Sequence, residues 1–361
     1  MKTFTCECNH TIFFENTHCN NCQRQLGYDI NLNTIVALNP TDQPDIFITA
    51  EGQQYRYCQN YRDFPTENIC HSVIPADQSQ PLCQSCALNK MIPNLSKPQN
   101  RSMWSELEEQ KRRLVFTLRE LNLPMHDLRF AFKEDQRTNP SVADEQVLTG
   151  HADGLITINI READEVSREK TRLSLKENYR TILGHFRHET GHFYFFKLFN
   201  ENNIHAFRQL FGDETQDYAA ALKNHYSKPQ QDGWQDQYIS FYAQSHPHED
   251  WAESWSHYLH IIDTMETANN FQFTRTGAGL SQQGMPTDFN QLLTEWIEFS
   301  IALNELNRSM GMHDAYPFAY NDAVREKLRF VHQSIKDYVI QSNAMVNETQ
   351  SQSNYAQSNY A

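Results

Sequence analysis

Residues 184–196 read GHFRHETGHFYFF. On a helix, His188 and His192, four apart, stack on one face, and Glu189 lies one step round. Two imidazoles can then address one metal ion while the carboxylate reaches a water on it. Such a five-residue pattern also occurs on ordinary solvated helices, so the flanks decide. Thr-Ile-Leu at 181–183 and Phe-Tyr-Phe-Phe at 193–196 make the helix mainly apolar. Polar groups buried there are costly unless something satisfies them, and a metal would. Gly191, between the two histidines, leaves space for close packing. His185 shares nearly the same face and is read three ways: a rival ligand, a residue behind the ligands, or a hydrogen-bonded helix histidine. The last is favoured.

A zinc site needs a third protein ligand and keeps its fourth position for water. The richest source is residues 238–261, YISFYAQSHPHEDWAESWSHYLHI. Pro247 marks a helix start, with His248 and Glu249 in the first turn. Glu249, Glu253 and His257 recur every four residues on one face. That face offers one carboxylate as a ligand and another to orient a ligand histidine through its free ring nitrogen. The competing reading, ordinary surface acids, is weakened by Trp251 and Trp255, which predict burial.

All eight cysteines lie between Cys6 and Cys86. In CECNHTIFFENTHCNNC, residues 6–22, a Cys-x-Cys precedes a Cys-x-x-Cys by a hairpin-length spacer. Cys6, Cys8, Cys19 and Cys22 can therefore close a four-thiolate zinc site. Cys58, Cys70, Cys83 and Cys86 form a second set with a single knuckle, and His71 is a rival for its fourth position. Both sites are closed, so their expected role is structural: they fold a region too small and polar to fold otherwise.

The chain divides into three zones: a cysteine-bearing, turn-rich region over 1–98, a mainly helical domain over 99–340, and a polar tail over 341–361. The tail ends in a tandem Gln-Ser-Asn-Tyr-Ala and is expected to be disordered. Leu107, Leu114, Leu118 and Leu121 share one helix face before Pro124. Ile156, Ile158 and Ile160 alternate along a strand. Two later stripes read as core: Leu292, Trp296, Phe299, Leu303, Leu306 and Met310, then Val324, Leu328, Val331, Ile335 and Tyr338. Thr287 is placed to cap the first of these helices and Gly311 to end it. The fold class is therefore α+β.

The formal net charge is −14, so nucleic acid is a poor partner. The low Lys and Arg content of 1–98 also speaks against phosphate contact through the cysteine modules. No apolar run approaches the roughly 20 residues that span a bilayer. The start MKTFTCECNH lacks an apolar core, so it does not read as a signal peptide, and the expected location is cytoplasmic.

These residues together carry a resemblance. FFENTHCNNC (13–22), LGY (26–28), LCQSCALNKMIPNLS (82–96), TGHADGLITINI (149–160), YRTILGHFRHETGHFYF (179–195), YAQSHPHEDWAESWSHYLHI (242–261) and LNRSMGMHDAYPF (306–318) occur in order. The chain resembles the zinc-binding metallopeptidases that carry an N-terminal zinc ribbon, over nearly everything before residue 340. Its centre is similar to the gluzincin clan, including lethal-factor-like peptidases. The resemblance implies a zincin-like domain with a small edge-strand sheet and one catalytic zinc on His188, His192 and Glu249, besides two structural zinc ions. It implies Glu253 as the acid behind the ligands, Glu189 as general base for a zinc-activated water, and Tyr242 as the hydroxyl that stabilises the oxyanion. It also implies that the 155–160 strand lies at a sheet edge and binds extended peptide or protein substrate. Asn9 stands where related ribbons often have glycine. His313, Asp314 and Tyr316 either line the cleft or form a loop between core helices, and the second reading is slightly favoured. The rival to a peptidase is a non-catalytic protein-binding module with the same fold, and Glu189, which a purely structural site would not need, argues for catalysis.

Overall fold

Tight turns set the first strands. β1 (Phe4–Thr5) and β2 (Thr11–Ile12) pair as a hairpin whose turn carries Cys6 and Cys8. Asn9 in that turn has φ 61°, the left-handed region that glycine enters freely and asparagine tolerates, so its replacement of glycine is accommodated. The computed structural model describes residues 2–358 apart from 138, 144–145, 176–178, 228–231 and 275–287, with backbone alone at 175 and from 343 onward.

Next come β3 (Gln25–Asp29), β4 (Thr34–Pro40), β5 (Phe47–Ile48), β6 (Gln54–Tyr57) and β7 (Ser72–Pro75). Each pairs antiparallel with its successor, and β7 closes on β3 in parallel, so the five form a closed barrel. The reading of this zone as short strands and turns did not foresee the closure. Leu38, Tyr55, Tyr57 and Val73 cluster in its core. The buried Asp29 accepts the Tyr55 hydroxyl at 2.7 Å, which satisfies an otherwise costly carboxylate. Two short helices, α1 (Gln59–Asp63) and α2 (Gln84–Ala87), flank the last barrel strand in sequence.

A four-stranded sheet follows, made of β8 (Asn89–Met91), β9 (Arg129–Lys133), β10 (Gly150–Ala152) and β11 (Leu155–Asn159) in the order β10-β11-β9-β8. Ile156 and Ile158 are buried, as the alternation predicts, but β11 is not an edge strand. Asp153 and Gly154 both have positive φ and fold β10 back onto it, pairing Ala152 with Leu155. An Asp-Gly pair in this conformation makes the primed hairpin turn, so the edge passes to β10. α3 (Pro98–Glu120) buries Leu107, Leu114 and Leu118, and Leu121 just beyond it. Its Lys111 pairs with Glu108 at 2.8 Å with both side chains fully enclosed, and lies over the Phe130 and Phe132 rings of β9.

The remaining helices are α4 (Glu165–Leu175), α5 (Ile182–Leu198), α6 (Ile204–Phe211), α7 (Tyr218–Ser227), α8 (Pro247–Asn270), α9 (Phe289–Ser309) and α10 (Asp322–Ser358). Two compact units share α3, α5 and α8. Among the described residues, the first carries all eleven strands with α1, α2 and α4, and the second carries α6, α7, α9 and α10. The architecture is α+β, a strand-rich, cysteine-bearing region followed by a mainly helical domain with small sheets. Asp288, rather than Thr287, caps α9 by accepting from the Asn290 and Gln291 amides; Thr287 lies outside the described residues. Gly311 follows the helix end with φ 76°. The α9 stripe is core only in its first half: Leu292 and Trp296 are buried, whereas Leu306 and Met310 are 62% and 70% exposed. Apolar periodicity marks a face without saying how far a neighbour covers it. The expectation of a disordered tail falls on residues whose side chains, from 343 on, lie outside those described. Among the described residues no helix is long and apolar enough to cross a membrane.

Candidate metal centre

α5 starts where the Thr181 hydroxyl accepts the Gly184 amide at 3.0 Å. Phe186 then packs edge-on against Phe130 and Phe132 of β9, and Arg187 pairs with Asp263 of α8 at 2.6 Å. One turn later the helix meets α8 at close range. A Cβ on Gly191 would sit 2.8 Å from the Ala252 Cα, so only glycine permits this crossing. Trp251 donates to the Gly191 carbonyl at 2.8 Å and Trp255 to the Thr190 hydroxyl at 3.3 Å. Both indoles are fully buried, as their flanking positions predict. Gly191→Ala is expected to destabilise the protein by about 2 kcal/mol, the usual size of an overpacking strain. A drop in the urea midpoint checks this, and an unchanged midpoint would show that the two helices separate freely.

The head of α8 is equally fixed. Pro247 is its first residue, and His246, extended just before it, accepts the His248 amide on Nδ1 at 3.1 Å. Asp250 is buried and pairs with Lys327 of α10 at 2.6 Å. Burial pushes the Asp250 carboxyl up to about 7, with Lys327 opposing and the Glu253 charge adding to the rise.

This packing brings His188, His192 and Glu249 together, with one ligand atom from each within 4.8 Å of the others. Nε2 of His192 lies 3.5 Å from Oε2 of Glu249, whose side chain is wholly buried. A carboxylate so enclosed beside two imidazoles is stabilised by a cation between them. Two imidazole nitrogens and one carboxylate oxygen are a zinc donor set, so the residues present fit that ion. Glu189 follows His188 on the helix and is only 7% exposed. Glu253, one turn after Glu249, is half-buried and outside the three-residue group. Tyr242 opens a 3-10 turn, its ring 6.2 Å from that of His225.

Nδ1 of His185 lies 3.2 Å from Oε2 of Glu162, and His185 is outside the three residues that gather. His185 shares nearly the same face but stands about 4.5 Å further back along the axis than His188, at roughly 1.5 Å per residue, where its ring meets Glu162. Burial raises the Glu162 carboxyl, but the hydrogen bond and charge of His185, with Arg180, outweigh it and hold it at about 2. The group missed from sequence is Tyr218, the first residue of α7, whose hydroxyl donates to Oε1 of Glu249 at 2.6 Å. It lies 31 residues before its partner, and no helical spacing links them.

The thiols gather as two quartets, Cys6, Cys8, Cys19 and Cys22, and Cys58, Cys70, Cys83 and Cys86. In the first, Cys6 and Cys22 are 3.7 Å apart and Cys8 and Cys19 3.6 Å; in the second, Cys70 and Cys83 are 3.7 Å apart. A tetrahedron with zinc–sulfur bonds of about 2.3 Å has edges of about 3.8 Å, which these match. Amides aim at the sulfurs of the second quartet: Ser72 at Cys70, Cys83 at Cys58 and Cys86 at Cys83. Cys58 and Cys86 are pushed up and Cys70 and Cys83 down, chiefly by hydrogen bonds among the four thiols. A dication among them would let all four ionise.

His71, the rival for this site, is instead buried edge-on against Phe14, and burial, then the Arg112 charge, lowers it to about 3. The 313–316 loop joins α9 to α10. Asp314 pairs with Arg308, and the buried Tyr316 bonds His257 and Tyr320.

The family described as "Putative zinc-binding metallo-peptidase" matches residues 100–334, and a zinc-ribbon domain family matches residues 3–97. The chain is 36% identical over 344 residues to uncharacterized proteins of Mycobacterium bovis and of two strains of Mycobacterium tuberculosis. The alignment covers 92% of this chain and 94% of each relative. No solved structure matches it.

Proposed function

Because the chain belongs to the zinc-binding metallo-peptidase family, with a zinc-ribbon domain ahead of the peptidase-family region, we propose that it is a zinc-dependent, gluzincin-like peptidase. The observation that supports this most is the convergence of His188, His192 and Glu249 with Glu189 on the same helix. A zinc ion at that position supplies a Lewis acid that acidifies water and polarises a carbonyl oxygen. Glu189 takes the proton of the attacking water and passes it to the leaving amine. Tyr242 is assigned as the hydroxyl that meets the carbonyl oxygen as charge develops on it. Glu253 orients a ligand histidine from behind. The two cysteine quartets each hold one structural zinc, and the 1–98 region holds or selects protein substrates. An extended peptide would pair with β10, the strand that occupies the sheet edge.

Zinc content and cleavage of a peptide library test this together. Wild type is expected to bind three zinc ions and to cleave. Glu249→Ala is expected to bind two and to lose cleavage, whereas Glu253→Ala keeps three with weaker affinity. Two ions in folded wild-type protein would overturn the proposal. Loss of the third ion in Glu253→Ala but not in Glu249→Ala would transfer the ligand role to Glu253.

A further inference from the structure

Glu249 has two oxygens, and the structure uses them differently. Oε1 accepts the Tyr218 hydroxyl at 2.6 Å, while Oε2 faces Nε2 of His192 at 3.5 Å. Tyr218 is itself held in place. Its ring meets the His246 ring edge-on at 5.1 Å. Nε2 of His246 lies 3.2 Å from the Gln216 carbonyl, two residues before Tyr218, and its Nδ1 accepts the His248 amide. One imidazole thus ties the segment leading into α7 to the head of α8, the helix that carries Glu249. Tyr218 as a whole is 43% exposed, yet its hydroxyl donates to a carboxylate that is wholly buried. Packing alone does not call for a phenol there.

We infer that Tyr218 is a positioning residue that makes Glu249 a one-oxygen ligand. The inference rests on the metal reading of His188, His192 and Glu249. A carboxylate free to turn can offer a metal both oxygens, and the second would add a fifth donor that crowds the position a catalytic site keeps for water. A hydroxyl bonded to Oε1 opposes that turn and presents Oε2 alone. Tyr218 touches neither metal nor substrate in this role; it acts through Glu249. Partners that orient ligands in this way typically change metal affinity by about 10- to 100-fold when removed.

Tyr218→Phe keeps the ring against His246 and removes only the hydroxyl. In the full-length protein, competition with a chromophoric chelator is expected to show the third zinc bound about 10-fold more weakly, with the two cysteine-bound ions unchanged. With cobalt in place of zinc, the visible absorption of that site is expected to weaken as Glu249 turns to offer both oxygens, because five-coordinate cobalt absorbs less than tetrahedral cobalt. Tyr218→Ala, which also removes the ring, is expected to show the same affinity loss, placing the effect on the hydroxyl. Zinc affinity within twofold of wild type and an unchanged cobalt spectrum in Tyr218→Phe would overturn the inference. Wild-type protein that binds only two ions would overturn the metal reading beneath it, a result distinct from the first.

Discussion

Glu189→Gln is expected to bind as much zinc as wild type and to lose about 10³-fold in kcat/KM on peptide substrates. Glutamine keeps the size and polarity of the side chain, so the packing of α5 against α8 around Gly191 is untouched. The three residues that gather their ligand atoms are His188, His192 and Glu249, so the substitution removes no donor. It removes the ability to take a proton from water and return it to the amine. General base catalysis of this kind contributes about 10²- to 10⁴-fold. The residue is nearly buried, so bulk water replaces the lost base poorly. Metal analysis beside single-substrate kinetics checks the result. A variant within tenfold of wild type would remove Glu189 from the mechanism, and one that also lost zinc would make its role structural.

Cys83→Ser is expected to cost the N-terminal barrel its fold. All four sulfurs of this quartet are buried. Cys58 follows β6 directly and Cys70 lies two residues before β7, so one ion would clamp the connection between two adjacent barrel strands to the 83–86 knuckle. Structural zinc contributes about 10–16 kcal/mol to the folding of small metal-dependent domains, comparable to the whole stability of an ordinary domain. The variant should contain two zinc ions instead of three and yield to protease within the first hundred residues or so. Cys22→Ser is expected to be milder. That quartet is partly exposed and ties a hairpin and a turn rather than the barrel strands. Full protease resistance in Cys83→Ser would show that the barrel stands on its own core of Leu38, Tyr55, Tyr57 and Val73.

Much of this was legible in the chain because it depends on local spacing. Four-residue steps put His188 and His192 on one helix face, and paired cysteines with short spacers form the knuckles that met as two quartets. Alternation picked out the buried face of β11, and Pro247 marked the start of α8. What spacing cannot carry is distance between parts remote in sequence. The barrel closes because β7 pairs with β3, more than forty residues earlier, and a backbone hydrogen-bond ladder leaves little mark on side-chain pattern. The sheet edge moved from β11 to β10 because the Asp153-Gly154 turn folds the chain back, and the exposed half of α9 reflects where its neighbours end.

The centre itself divides the same way. Sequence alone determined the two histidines, the adjacent glutamate and a second helix bearing acids at four-residue steps, since these are properties of single helices. Only the tertiary structure decided that His185 turns to Glu162 and that the Tyr218 hydroxyl reaches Glu249. Those choices belong to packing, because a side chain on a helix face meets whatever the crossing of other elements brings to it.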